Sequence, residues 1–291
     1  MSQNTFDIVY ELRQRQHEFS PVEARIAAAI LADVDAAAQY GVSELAERAE
    51  VSAAAISRFA KALGCDHVRE LRARLASASA VGKRFLEQQN APPVSALYAQ
   101  ICDDIQESLR HNIANLKEQV VQELAEAICQ ARMIHIFGLG GCSTVFAQEL
   151  QSRLVRFGRP VSACSDALMM KIIAATLGPE DLVVVLSVSG ITPEIVSAAD
   201  IARTYGARVG SVTQAGTALA ERSDWLLPIQ IEETDFVFKP SASRYAMMLA
   251  IDVLSTTTAL NDANANHEHL RRIKLALDRH RGGDSRLPLG D

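Results

Sequence analysis

Four apolar residues in succession, Val183-Val184-Val185-Leu186, run straight into Ser187-Val188-Ser189-Gly190-Ile191-Thr192-Pro193-Glu194. A stretch without polar alternation is what a strand buried on both faces looks like, and such strands belong to parallel sheets covered by helices. Pro193 suits the first turn of a helix, where its missing N–H is not needed. The hydroxyls therefore fall on a strand-to-helix turn at the carboxyl edge of a sheet, where ligands bind and the free N–H groups of the helix start favour an anion. Neither Ser187 nor Ser189 has glycine two residues before and two after, so the nucleophile-elbow frame is missing and nucleophilic catalysis is a poor reading. A ring of hydroxyls and backbone donors suits a phosphate. Serines that merely cap a helix would fit the same string.

The surroundings repeat the alternation of an α/β domain. Strands are expected at Met133–Phe137, Val161–Cys164, Leu182–Leu186, Arg208–Val212 and Trp225–Pro228, with helices near 143–157, 166–177, 193–205 and 217–222 and a last long one near 241–261. Before them, Leu97, Ile101, Ile105, Leu109 and Ile113 mark a long amphipathic helix, and a second helix is expected over 119–131. The first strand ends in Gly138-Leu139-Gly140-Gly141-Cys142-Ser143-Thr144, where Ser143 replaces the third glycine of a dinucleotide fingerprint. A partial G-x-G is weak evidence for NAD. Gln88-Gln89-Asn90-Ala91-Pro92-Pro93-Val94 reads as a linker.

Ahead of that linker the spacing is helical from Thr5 to about Ala80. Ser20-Pro21-Val22-Glu23 predicts a capped helix over 21–33, with Ile26, Ala29 and Ile30 as its apolar face. Two short helices follow. Ser43 is the expected cap of one that buries Leu45, Ala46 and Ala49; Ser52 caps the next, which buries Ile56, Phe59 and Leu63 and stops at Gly64. Two helices joined so closely are the sequence form of a helix-turn-helix, whose second helix lies in the major groove of DNA. Ser52, Ala53, Ala54, Ser57, Arg58 and Lys61 are then the candidate DNA-binding residues: the alanines permit close approach, and Arg58 and Lys61 reach guanine or phosphate.

A net charge of −6 over 291 residues argues against a nucleic-acid binder until it is mapped. Residues 1–51 carry four arginines against nine acids, whereas 52–84 carry seven cations (Arg58, Lys61, Arg69, Arg72, Arg74, Lys83, Arg84) against two acids. A local basic stripe is a phosphate-binding footprint or a solvated helix face. The five cysteines are odd in number and widely spaced, which points to reduced thiols and away from a disulfide framework or zinc site. No signal-like N-terminus or membrane-length apolar run is present, so the cytoplasm is expected and no membrane partner. His267-Glu268-His269 lacks metalloprotease spacing and reads as surface; His135 reads as a satisfied core imidazole and Trp225 as a packing residue.

The string from Ser20 to Ala76, with its LAE-A-VS-A-I-RF-K-LG framework and trailing basic helix, resembles the DNA-binding domain of the MurR/RpiR family of bacterial transcription regulators. From Ala131 to Ala259 the chain resembles a sugar isomerase (SIS) phosphosugar-binding domain, through Gly138 and Gly140, Ser187-x-Ser189-Gly190-x-Thr192-x-Glu194, Ser211-Val212-Thr213 and Ser243-Arg244. The resemblance implies that Ser187, Ser189 and Thr192 hold the phosphate of a sugar. It departs at Cys142, where the family usually has serine and where a thiol is the weaker donor; the hydroxyls move to Ser143 and Thr144.

The expectation is an all-α helix-turn-helix domain (1–87), a linker (88–94), an α/β SIS domain with a parallel sheet flanked by helices (95–281) and a flexible tail (282–291). The effector set is Gly140, Cys142, Ser143, Ser187, Ser189, Gly190 and Thr192, with no catalytic residue, metal or cofactor. The expected partners are operator DNA, a sugar phosphate and a second copy, as homodimer or homotetramer, with the long helices at 94–131 and 241–261 as interface elements. The competing expectation is an aldose/ketose phosphate isomerase whose base is Glu194 or Glu232/Glu233.

Overall fold

The computed structural model describes residues 7–86, 93–233 and 240–281, with the single positions Phe238 and Leu289. The chain forms two compact units that part between Ala91 and Pro92. Of the expected linker, residues 88–92 lie outside the described residues and Val94 already opens a helix; the expected tail lies outside them save Leu289.

The first unit is helical throughout: α1 (Ile8–Gln14), α2 (Pro21–Ala32), α3 (Val34–Gln39), α4 (Val42–Arg48), α5 (Ala53–Ala62), α6 (Val68–Ser79) and α7 (Lys83–Leu86). Asp7 starts α1 by accepting from the Val9 and Tyr10 N–H groups. Ser20 and Glu23 close a reciprocal capping box on α2. That helix stops one residue short of the expected Asp33 because the Asp33 carboxylate turns to accept from the Ala36 N–H and caps α3 instead. Apolar residues at three- and four-residue spacing converge on one core that includes Leu12, Ile26, Ile30, Leu45, Ile56, Phe59, Leu71 and Leu75. Ala27 is buried on the α2 face, where Ala29 was expected and is only half-buried.

The second unit opens with α8 (Val94–Asn115) and α9 (Glu118–Gln130), then alternates β1 (Met133–Phe137), α10 (Gly141–Val155), β2 (Val161–Cys164), α11 (Ala167–Ala174), β3 (Asp181–Leu186), α12 (Pro193–Thr204), β4 (Arg208–Thr213) and β5 (Trp225–Pro228), and closes with α13 (Ser243–Leu260) and α14 (Ala263–Arg281). The helix expected over 217–222 is a single 3-10 turn, Ala220–Arg222. All strands are parallel, in the order β2-β1-β3-β4-β5. The β3 apolar run is buried on both faces, as its lack of alternation demands. Ile134, Ile136, Leu182, Val184 and Leu186 pack with residues of α9, α10 and α13. Phe137, Val183 and Val185 pack with residues of α11 and α12 on the opposite face. At the β2 edge, the Gln151 side chain of α10 accepts from the Ala163 N–H.

The apolar stripe of α8 differs from expectation. Leu97, Ile101, Ile105 and Leu109 are half-buried and Ile113 is exposed, while the buried residues of that helix are Ser108 and Asn112. Polar groups are buried there because the segment after β5 brings backbone that must be hydrogen-bonded. Asn112 bonds the main chain of Gln230, and Ser108 donates to the Ala242 carbonyl.

Candidate functional site

Sheet order decides where chemistry can gather in the second unit. Chain order reverses at β1, since the chain leaves it outward to β2 and then crosses back to β3. The turns after β1 and β3 are therefore neighbours at the carboxyl edge, the switch point at which open α/β sheets bind ligands. One turn is Gly138 to Gly141 and the other is Ser187 to Thr192.

The second turn is closed from within. The buried Ser187 hydroxyl accepts from the Gly190 N–H at 3.1 Å, and the Gly190 carbonyl accepts from the Leu219 N–H at 3.0 Å. Gly190 has φ +67, and a Cβ there would strike the hydroxyls of Thr213 and Thr217. Only glycine meets both conditions. Thr192 is the N-cap residue of α12, yet its side chain makes no capping bond, and the half-buried Ser189 hydroxyl makes none with any described residue. A pure capping role thus fits poorly: Ser187 fastens the turn, while the hydroxyls of Ser189 and Thr192 are left over beside the N–H groups of a helix start.

The first turn enters α10 through Gly140, which has φ +73 and no side chain to cap. A Cβ on Gly138 would run into the Ser143 carbonyl, so this glycine lets the helix start sit against the strand end. Cys142 is exposed and Ser143 buried, while Thr144 donates to the Gly138 carbonyl at 3.4 Å. The seven residues expected at the effector site thus lie on two adjacent turns and the first turn of α10, which holds Cys142 and Ser143.

In the first unit, α4 and α5 are joined by a tight turn. The Val51 N–H reaches back to the Ala46 carbonyl and the Glu50 N–H to the Glu47 carbonyl, with Glu50 at φ +51. The same pair of bonds ends α5, where Gly64 holds the left-handed position at φ +73. Ser52 caps α5 by accepting from the Ala55 N–H, as expected. Ser43 does not cap α4: Gly41 is the N-cap and Ser43 is an exposed residue of the helix. Ser52, Ala53, Ala54, Ser57, Arg58 and Lys61 all point to solvent, whereas Ala55, Ile56, Phe59 and Ala60 are buried.

The basic stripe shrinks on inspection of its partners. Arg72 donates to the Ala38 and Gln39 carbonyls at 3.1 Å each and so terminates α3. Arg74 pairs with Glu70 at 2.7 Å, and that pairing, after the hydrogen bond from the Asp66 N–H, holds the Glu70 carboxyl below the usual carboxylate range. Both are structural cations. Lys83 and Arg84 lie outside the described side chains. Arg58, Lys61 and Arg69 make no hydrogen bond or ion pair with described residues.

Residues expected to be bland are less uniform. His135 is half-buried with its Nδ1 unpartnered, so it is not satisfied; burial pushes its pKa down, opposed by Asp181 and reinforced by Arg132. The His269 Nδ1 is likewise buried and unpartnered, with its ring against Gly158, whereas Glu268 is exposed to two arginines, and the Arg271 hydrogen bonds carry its pKa down to about 2. Trp225 does pack, with Arg208 over its ring and its indole N–H donated to Glu123. All five cysteines are free. Among the described residues, no helix is long and apolar enough to cross a membrane.

The candidate bases of an isomerase lie on different elements. Glu194 is exposed in the first turn of α12, while Glu232 lies after β5 and is bonded to His111 of α8 and to Gln230.

Residues 7–82 match the model of the helix-turn-helix domain of the rpiR family, and residues 127–257 match the SIS domain. The HTH-type transcriptional regulator HexR of Pseudomonas aeruginosa is 33% identical over 93% of this chain and 95% of its own length. HexR of Escherichia coli K12 is 26% identical over 98% and 99%. The fold is similar to that of the Vibrio vulnificus NanR protein, solved in complex with ManNAc-6P: TM-score 0.59 at 20% identity, covering 94% of this chain and 99% of that one.

Proposed function

The chain belongs to the RpiR-type family of helix-turn-helix transcriptional regulators with a SIS domain, and from that premise we propose that it controls genes of carbohydrate metabolism by binding operator DNA, with an affinity set by a phosphorylated sugar held between the turns after β1 and β3. The observation that carries the ligand half is the pair of idle hydroxyls, Ser189 and Thr192, at the start of α12 beside a turn already fastened by Ser187. Hydroxyls and backbone N–H groups converging without a protein partner match an anion with several acceptor oxygens. Gly140, Cys142, Ser143 and Gly190 supply the rest of the lining, and the sugar phosphate bound in the NanR structure is of the same ligand class.

The DNA half rests on α5. Its six outward residues are small or cationic, and Arg58 and Lys61 have no hydrogen-bond or ion-pair partner among the described residues. For the ligand to regulate, it must favour one arrangement of the DNA-binding units over another, and a two-fold assembly of copies is the form that palindromic operators require.

Titration calorimetry with a panel of sugar phosphates, repeated on Ser189→Ala, tests the ligand half. Loss of one hydrogen bond to a charged group should lower affinity about tenfold or more. Unfolding should change little, because that hydroxyl bonds no described residue. Equal affinity in a folded Ser189→Ala would remove the phosphate site. On the DNA side, Arg58→Ala and Lys61→Ala should each cost roughly 1–3 kcal/mol of binding. Isomer formation from any sugar phosphate of the panel would favour the catalytic reading over the sensor.

A further inference from the structure

Most arginines of the first unit are occupied by the fold itself. Arg13 donates to the Leu86 carbonyl, Arg15 to Glu18 and the Ala62 carbonyl, and Arg48 pairs with Glu44 and lies over the Tyr40 ring. Arg72 and Arg74 are tied down as described above. Arg25 is different. It is exposed on α2 and, like Arg58, makes no hydrogen bond or ion pair with any described residue.

Arg25 from α2 and Arg58 from α5 line one depression in the surface, together with Ser52 at the start of α5. Glu47 and Glu50 line it as well, yet neither guanidinium pairs with them. Arginines left unpaired beside available carboxylates, on helices fixed by a common core, keep their donor forks open to an outside acceptor. A guanidinium fork matches two oxygens of a phosphate. In helix-turn-helix docking the helix before the recognition helix, here α4, crosses the DNA backbone, and α2 packs against both α4 and α5, which sets Arg25 on the same side as that crossing.

We infer that Arg25 is a DNA-contacting residue, which grips a backbone phosphate of the operator from α2 while α5 lies in the adjoining groove. The inference rests on the regulator reading above and adds to it a residue from a segment whose sequence carries a net negative charge. A phosphate contact fixes position and carries no base information, so its loss must weaken all sequences alike.

The test uses the full chain and two duplexes of equal length: one recovered by in vitro selection from a random pool with the wild-type protein, and one unrelated. Binding is titrated at several KCl concentrations. Arg25→Gln should weaken both duplexes by a similar factor, about three- to tenfold, and lower the slope of log K against log salt by about 0.9. Arg25→Lys should restore the slope and part of the affinity. Arg279→Gln, an equal change of net charge on α14, should leave both unchanged. Wild-type affinity and slope in a folded Arg25→Gln would overturn the inference, as would a loss confined to the selected duplex or an equal loss in Arg279→Gln. Failure of the wild-type protein to bind either duplex would overturn the regulator reading and this inference with it.

Discussion

Asn112 and Gln230 hold each other by the main chain of one and the amide of the other: the Gln230 N–H donates to Asn112 Oδ1 at 2.7 Å, and Asn112 Nδ2 donates to the Gln230 carbonyl at 3.2 Å. The same Nδ2 donates to the Ser108 carbonyl at 2.8 Å. Asn112 is buried, so its removal strands backbone groups away from water. Asn112→Ala should cost about 3 kcal/mol in urea unfolding. Asn112→Asp keeps the acceptor but sets a buried carboxylate oxygen against the Gln230 and Ser108 carbonyls, so it should cost at least as much as the alanine. A cost below about 1 kcal/mol for the alanine would mean that water replaces the pin.

Gly190→Ala combines a strained φ of +67 with a collision against Thr213 and Thr217. The combined penalty should be about 2–4 kcal/mol of stability, and effector binding should fail with it. Ser189→Ala separates the two effects by leaving stability unchanged. Thermal unfolding beside calorimetry checks both. An alanine variant with the wild-type melting curve would contradict the close approach described here.

Glu50 occupies the left-handed position that Gly64 occupies at the next helix end. A side chain there costs about 1–2 kcal/mol, part of which glycine returns through a freer unfolded chain. Glu50→Gly should therefore stabilise the protein by roughly 0.5–1 kcal/mol. Glu50→Asn should gain less. Losing a carboxylate beside Arg25 and Arg58 should also strengthen DNA binding. Denaturant midpoints for the three proteins test the ranking, and a destabilised Glu50→Gly would refute it.

His135 links stability to pH. Burial holds its folded pKa below the ordinary 6.5, so as pH falls the unfolded chain takes up the proton first. Its contribution is present above the unfolded value and is lost as pH drops from there toward the folded one. The wild-type unfolding midpoint should decline as pH falls through about 6.5 and below, and His135→Gln should flatten that decline. Identical profiles for the two proteins would place the acid sensitivity elsewhere.

Elements with strong local determinants were legible in the sequence. The β3 run has no polar residue to place outward, Pro193 fixes the start of α12, and Ser52 and Gly64 bracket α5; each stands where the pattern puts it. Ser43 misled because a capping side chain outranks glycine as a signal, whereas the chain starts α4 at Gly41 without any side-chain cap. The burial of Ser108 and Asn112 was invisible because their partners, Ala242 and Gln230, come from a distant segment. Arg58 and Arg72 look alike in a charge count. Only the fold reveals that one finds two helix-end carbonyls and the other finds none. Arg25 was hidden in a net-acidic segment, residues 1–51, two of whose acids, Glu47 and Glu50, line the same depression.

The closed turn at Ser187–Gly190 has a kinetic meaning. Its backbone is held by Ser187 from within and by Leu219 from across the loop, so the proposed effector would find the cradle already shaped. Association would then need no prior loop closure, and residence time, governed by the bonds broken on leaving, would become the quantity that separates one candidate ligand from another.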